Sequence, residues 1–526
     1  MLDSRILLTL FSLAIHVCGT SATSGISREK RGICLSSKKC YGELGCFPCK
    51  FKFDAESPET IGMIFYVYKP PNAEKASEFK WSDYKQGVKR TDIDPKKNFW
   101  VIIHGFEGQW PLPWLDMMRR ALVEKDNTVM VARWSDGTHY PTGYPQASAN
   151  GLVVGAMTAK VIQQFEKLQG LSLDRVNIIG FSLGAPVAGH TGARLGGKAR
   201  QIVGLDHPAQ LYNGKPAEYR LDPTDAQLVQ AIHTHGEPLI SGGLGTMKPM
   251  GDIDVYVNGG KRQHGCPVTK RKNITVHDFY DIIKIMGCNH LRAPALFTDS
   301  VRNSKCQYKM YECDSRANWK LGLCFQCPNS TCLQMGYHMD TSTKLRGLFY
   351  LATEVDQGVN KPEKNYCGTQ YRVTLVPDRK VDGTLKVAIN HKKQDSQRDL
   401  SVVQTISKHM SPGRPRSFIV TGDPTSQPNY LRIFYDRFNV LYVVKGVQKF
   451  NLKSAMVIKD DGNGYLFNGT QEMENDETRE IALVPGKIDL QAELAKSRQL
   501  FTSGASGFVS ISVSIISLVF AFLLLW

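Results

Sequence analysis

Between Phe508 and Trp526 the chain carries no charged residue, and no lysine or arginine follows that run. A conventional membrane span is anchored by cytosolic positive charge, so an apolar tail of this kind lacks its usual anchor. The small residues Ser503, Gly504 and Ala505, a mixed spacer through Ser514 and an apolar stretch from Ile515 to Trp526 fit a glycolipid-attachment signal over residues 503–526. A tail-inserted single span is the alternative. Internal repeats are also lacking, which excludes solenoid and propeller arrays. Cys324 and Cys327 form a CxxC pair, but no second CxxC or HxxxH stands nearby at ligand spacing, so zinc is discounted there. Acidic residues are in deficit: 49 Asp and Glu against 65 Lys and Arg leave a formal charge of +16. Such an excess favours acidic lipid surfaces, sulfated glycans or nucleic acid, and by itself does not choose among them.

What is present bounds the class. A chain of 526 residues exceeds one ordinary core, so two domains with terminal segments are expected. Residues 1–22 begin with Arg5, run apolar from Ile6 to Cys18 and end small and polar, the layout of a signal peptide. Residues 23–39 then form a leader, with Arg28-Glu-Lys-Arg31 either a propeptide cut or ordinary charge. Removing Cys18 leaves 12 of the 13 cysteines, an even number that suits a disulfide framework in a secreted, extracellular protein. Asn273, Asn329 and Asn468 each head an N-x-S/T sequon for N-glycosylation.

From about Ile61 to Thr298 short apolar runs alternate with helical patterns. Val101–His104, Val129–Arg133, Val176–Gly180 and Ile202–Leu205 read as buried strands of a largely parallel sheet. Gln146–Leu168 has apolar residues at helical spacing, and the alternation predicts an α/β fold with helices on both faces. After Cys313 the pattern changes. Tyr371 to about Pro485 alternates apolar and polar residues at period two between Gly and Pro turns, as in a β-sandwich. Residues 487–502 read as a short charged helix acting as a stalk.

Gly180-Phe-Ser182-Leu-Gly184 follows a predicted strand and opens a helix. A nucleophilic serine on such a strained turn needs glycines around it, because side chains would collide with the backbone. A hydroxyl is a poor nucleophile until a histidine takes its proton and an acid fixes the imidazole. Asp206 ends the next predicted strand and is placed to be that acid. Downstream lie His207, His233, His235, His264, His277, His290 and His338, and periodicity does not select among them.

Several segments in order decide the matter by likeness. They include Cys40-Tyr-Gly-Glu-Leu-Gly-Cys46, Ile103-His-Gly-Phe106, Gly143-Tyr-Pro-Gln-Ala147, Gly180–Ala185, Arg220-Leu-Asp-Pro-Thr-Asp225, Asn258-Gly-Gly260 and Cys288-Asn-His290-Leu-Arg292. From Cys40 to about Pro485 the chain resembles the pancreatic-type triacylglycerol lipases. The resemblance implies an α/β-hydrolase lipase domain over 40–365 and a lipid-associating, PLAT-like β-sandwich over 366–486. It implies a triad of Ser182, Asp206 and His290, with the backbone N–H groups of Leu183 and Phe106 as oxyanion donors. Cys266 and Cys288 would bracket a lid (266–288) whose helix from Val276 to Ile285 presents an apolar face to lipid. A structural calcium ion would take Asp222, Asp225 and the Arg220 carbonyl. Implied disulfides are Cys40–Cys46, Cys266–Cys288, Cys313–Cys324 and Cys327–Cys332. Cys34, Cys49, Cys306 and Cys367 remain, and spacing alone does not fix whether they pair as Cys34–Cys49 and Cys306–Cys367 or otherwise. The activity implied is ester hydrolysis in neutral glycerolipids at a lipid interface, with phospholipase A1 or a non-catalytic lipid- or glycan-binding surface protein as rivals. No organic cofactor and no nucleic-acid partner follow from the likeness, and the need for a protein cofactor is left open. Basic clusters at Lys270-Arg-Lys272, His391-Lys-Lys393 and Arg414-Pro-Arg416 suit sulfated glycans or acidic headgroups.

Three departures from the family pattern stand out. His207 follows Asp206 where Pro is usual, and an imidazole there would compete for the acid's hydrogen bond. His235 replaces an Asp, and Ala217 a Glu near the implied calcium site.

Overall fold

The computed structural model describes residues 37–499, apart from 107–110, 139–142, 239–240, 267–275, 305, 328–331, 355–365, 390–405, 408–409, 423–426, 441–442 and 446. Cys34, Asn273, Asn329, the basic clusters 270–272 and 391–393, and the segments 1–36 and 503–526 lie outside the described residues. Among those described, no helix is long and apolar enough to cross a membrane.

The chain divides into two compact units. The first is built on a sheet whose strands include β1 (Ile64–Lys69), β2 (Asn72–Lys80), β3 (Phe99–Ile103), β4 (Thr128–Arg133), β5 (Val176–Phe181), β6 (Gln201–Leu205), β7 (Val229–His233), β8 (Ile253–Val257) and β9 (Gly347–Leu351). Their order across the sheet is β9-β8-β7-β6-β5-β3-β4-β1-β2. From β9 to β4 every pairing is parallel, and β1 and β2 close the edge antiparallel. Strands β3, β5, β6, β7 and β8 are buried at every position. β3 is apolar throughout, as a strand covered on both faces is expected to be, whereas β7 and β8 also bury Gln230, His233 and Asp254, polar residues that break the apolar signal in the sequence. β2, with Glu74, Lys75, Glu78 and Lys80, is polar enough to evade the sequence pattern and suits an edge strand.

Helices α1 (Pro113–Glu124), α2 (Gly143–Gln169), α3 (Gly184–Arg194) and α4 (Val276–Arg302) connect or cover the strands. α2 has 17 buried residues among 27, too many for one amphipathic face, and Gly151 and Gly155 let it approach α3 closely. A Cβ on Gly155 would stand 2.9 Å from the His190 ring. The chain leaves β3 for β4 on one side and returns through α2 to β5 on the other. The carboxyl ends of β3 and β5 therefore meet where the strand order reverses, the position at which open α/β sheets form a crevice.

Of the described residues, the second unit takes the segment Tyr311–Cys332, residues 352–354 and the chain from Cys367 to Gln499. Against the expectation that everything before 366 belongs to the first unit, the segment holding Cys313, Cys324, Cys327 and Cys332 groups with the later strands. Strands β10 (Thr369–Pro377), β11 (Gly383–Ile389), β12 (Arg416–Gly422), β13 (Tyr430–Val440), β14 (Lys449–Lys459), β15 (Asn463–Glu474), β16 (Glu477–Ala482) and β17 (Val484–Lys487) form two antiparallel sheets. One runs β12-β10-β14-β15-β17; in the other β13 pairs with β11 and β16. Tyr371, Val373, Leu375, Val387, Ile433, Tyr435 and Val457 from both sheets share one buried cluster.

The stalk expectation is corrected too. Residues 490–499 are helical but pack against the sheet, with Leu490 and Leu494 buried on Ile458. That helix covers the outer face of β10, so Arg372, a polar position of the period-two pattern, is fully buried and donates to Ser417 Oγ and Ser497 Oγ.

Candidate active site

Ser182 stands between the end of β5 and the start of α3, at φ +53°. That left-handed conformation is unfavourable for any residue but glycine and persists only where surroundings enforce it. Here the Ser182 N–H donates to Leu205 O and its carbonyl accepts from Ala185 N–H, both at 2.9 Å. The flanking glycines have specific collisions to avoid. A Cβ on Gly180 would lie 2.2 Å from Gly184 O, and one on Gly184 would lie 2.2 Å from Ile103 O. Both obstacles are backbone atoms that cannot swing aside. Gly184→Ala is therefore expected to destabilise the fold by about 3 kcal/mol or more, read as a loss of Tm, because overpacking against fixed backbone lies at the severe end of core substitutions.

Asp206 follows β6, fully buried and at φ +48°. Its Oδ2 lies 2.5 Å from His290 Nδ1, and its Oδ1 accepts the Thr234 and His235 N–H groups at 2.8 and 3.0 Å. Burial pushes the carboxyl up, but the hydrogen bond and charge of His290, with His235 and the Thr234 amide, outweigh it and hold Asp206 below its ordinary range. The His290 ring packs 4.7 Å from the ring of Phe181, the residue directly before Ser182. Residues of three successive strand ends and one helix thus converge: Ser182 after β5, Asp206 after β6, the Thr234 and His235 amides after β7, and His290 on α4.

The loop after β3 completes the group. A Cβ on Gly105 would lie 2.8 Å from Ser182 Cβ and 3.2 Å from Leu183 N, so the chain leading to Phe106 runs against the serine turn. Buried His104 fixes it: Nδ1 donates to Gly105 O and Nε2 accepts from Trp134 N–H. Burial draws the His104 pKa down to about 4, which keeps the ring neutral, and the Trp134 N–H on Nε2 leaves its proton on Nδ1. Among the described residues neither the Leu183 nor the Phe106 amide makes a backbone hydrogen bond.

Comparison with known proteins bears on this geometry. A family model described as "Lipase" matches residues 28–358. Pancreatic lipase-related protein 2 of Homo sapiens is 34% identical over 386 residues, 68% of this chain and 78% of its own length. The chain belongs to the pancreatic-type lipase family. Pancreatic triacylglycerol lipase of Mus musculus is 32% identical over 68% of the chain and 78% of its own length. Inactive pancreatic lipase-related protein 1 of Canis lupus familiaris is 33% identical over 59% of the chain and 68% of its own length. Family membership alone therefore does not establish activity, and the site has to carry that argument.

In this lipase-family chain His207 and His233 are engaged elsewhere. His207 was expected to compete for Asp206, and the geometry corrects this. Its Nδ1 bonds Pro208 O and its Nε2 accepts from Leu221 N–H, so it ties the acid's strand to the 220–225 loop. His233 bonds Thr246 O and Asp254 Oδ1, and burial near Arg292 draws His264 down to about 4. The side chain of His277 lies outside the described residues. Besides His290, the histidine that approaches the acid is His235, buried and drawn down to about 4 mainly by burial.

Cys266–Cys288 is a disulfide that closes the 266–288 segment two residues before His290. From Val276 the backbone is one continuous helix through His290 to Arg302. Cys40–Cys46, Cys313–Cys324 and Cys327–Cys332 are also disulfides, and Cys49, Cys306 and Cys367 are each disulfide-bonded. The sulfurs of the CxxC pair are thus consumed. Asn468 is exposed on β15.

Asp222 and Asp225 form a compact, largely buried pair. Asp222 Oδ1 accepts from Thr224 N–H and Oγ–H, and Asp225 Oδ2 accepts from Asp222 N–H. Gly189 on α3 makes room for it: a Cβ there would lie 2.6 Å from Asp225 Oδ2. Burial, with the Asp222 charge adding to it, pushes the Asp225 carboxyl up to about 8. Two buried carboxyls with so little compensating charge fit a hard cation.

Sequence reasoning did not find His104, Gly105 or Gly245 as parts of the site. A Cβ on Gly245 would stand 2.4–2.7 Å from the Asp206 carboxylate, and no local signal connects positions so far apart in sequence.

Proposed function

We propose that the protein is a serine lipase that hydrolyses carboxylic esters of glycerolipids, triacylglycerol foremost, through an acyl-enzyme. The observation that carries this reading is the 2.5 Å Asp206–His290 contact beside the strained Ser182 turn. Ser182 Oγ attacks the ester carbonyl while His290 Nε2 accepts its proton. Asp206, bonded to Nδ1, holds the tautomer and offsets the charge on the ring. The developing oxyanion takes the Leu183 and Phe106 amides. His290 then protonates the departing alcohol, and water repeats the sequence to release the acid.

A lipid substrate is supported by what surrounds the serine. Of four large hydrophobic side chains exposed among the described residues, Phe106 and Leu291 belong to this site. The segment 266–288 would act as a lid whose helix turns to the interface, and its full length favours neutral glycerides over phospholipid. The strand-rich second unit would be the PLAT-like β-sandwich that meets lipid, and exposed Arg414 with the other basic clusters would add sulfated glycans or acidic headgroups. The disulfides fit an extracellular protein, held at the cell surface by a glycolipid on residues 503–505. A protein cofactor at the interface belongs to the same reading.

A fluorophosphonate probe is expected to label Ser182, and hydrolysis of emulsified triolein to exceed that of phosphatidylcholine vesicles. Absence of labelling in folded protein favours a binding protein; preference for phosphatidylcholine favours a phospholipase A1.

A calcium ion held by Asp222, Asp225 and the Arg220 carbonyl would bind the loop to α3. Without it the raised Asp225 pKa makes the native state bind the proton more tightly than the unfolded chain does. Metal-free stability should then fall as pH rises from about 4 to about 8. Added calcium should flatten that decline in thermal melts, and an unchanged profile would count against the site.

A further inference from the structure

His235 takes no part in the mechanism above except through its amide. Its side chain is 3% exposed, and Nδ1 has no hydrogen-bond partner. An orphaned buried nitrogen is unfavourable unless something else meets it. One donor atom each of Asp206, His235 and His290 lies within 4.8 Å of the others. We propose that these three side chains form a binding site for a zinc-class divalent ion, and that filling it switches hydrolysis off. Binding stands on the geometry alone; the switch rests on the roles given above to Ser182 and His290.

Two imidazoles and a carboxylate are the donor set of a borderline transition metal, whereas calcium and magnesium favour oxygen alone. Tetrahedral bonds of about 2.0–2.1 Å set donors roughly 3.3–3.5 Å apart. The cluster reaches that spacing by small side-chain rotations, drawing His235 inward and opening the 2.5 Å Asp206–His290 contact. The metal then occupies the place of the proton between the carboxylate and Nδ1. The neutral His290 ring gives its Nδ1 lone pair to the ion and carries its single proton on Nε2 instead. No electron moves and no proton is lost. An Nε2 that already bears a proton cannot accept one from Ser182, so the base is disabled although the fold is intact.

Calorimetry and thermal melts with zinc sulfate on the full chain and on Ser182→Ala test the binding. One bound ion per chain and a raised Tm are expected in both, with no comparable effect of magnesium. His235→Asn and His235→Gln should each weaken zinc by about 100-fold or more, since even outer-shell partners of metal ligands are worth about 10–100-fold. Hydrolysis by the full chain should fall over the zinc range that fills the site and return on adding EDTA in excess calcium. Zinc affinity unchanged in both His235 variants, or no binding to Ser182→Ala, overturns the site. His235-dependent binding that leaves hydrolysis undiminished overturns the switch. A full chain that binds zinc in this way but never hydrolyses esters counts against the lipase reading and supports the site.

Discussion

Ser182→Ala is expected to lower ester hydrolysis by roughly 10⁴–10⁶-fold, the range seen when a triad nucleophile is removed. The loss should appear in kcat, with the melting temperature held, because alanine occupies the same space at the same strained φ of +53°. Ser182→Gly separates chemistry from strain. Relief of an unfavourable backbone conformation worth about 1–3 kcal/mol, less about 0.5–1 kcal/mol for the added freedom of the unfolded glycine, leaves a net gain of about 1 kcal/mol. A glycine variant that is equally inactive but melts higher is the signature of a turn maintained for its hydroxyl. Triglyceride hydrolysis that survives in the alanine variant would refute the assignment of the nucleophile.

Asp206→Asn should reduce kcat by about 10⁴-fold. The amide keeps an oxygen for the Thr234 and His235 N–H groups that Asp206 Oδ1 now serves, so the loop after β7 stays in place. Its NH₂ then faces His290 Nδ1 where an acceptor stood, and the ring turns to the tautomer protonated on Nε2. The rate of fluorophosphonate labelling at Ser182 should fall in parallel with kcat. Labelling at the original rate would mean that Asp206 does not set the protonation of His290.

Much of the candidate site was legible because its signals are local. The buried strands ending at Ile103, Phe181 and Leu205 are continuous apolar runs, and the glycines around Ser182 sit at fixed offsets from the residue that needs them. Resemblance picked His290 from seven histidines, a choice that periodicity has no means to make, since a base is defined by its distance from a serine more than a hundred positions earlier. The two misread parts fail for a common reason. The charged segment after β17 reads as a stalk by composition, yet two leucines suffice to dock it on Ile458. The cysteine-rich segment reads as the tail of the first unit, although its contacts lie with the second.

The sequence by itself determined the parallel strands β3 to β6, the serine turn and the acid at the end of β6, because backbone sterics and apolar periodicity act between near neighbours. Only the tertiary structure decided which histidine besides His290 approaches that acid. His207, adjacent to it in sequence, turns away to bond Pro208 and Leu221, while His235 comes close from the next strand. The physical reason is the sheet: parallel pairing of β6 and β7 sets their carboxyl ends side by side, so residues remote along the chain share one buried carboxylate while a sequence neighbour points elsewhere.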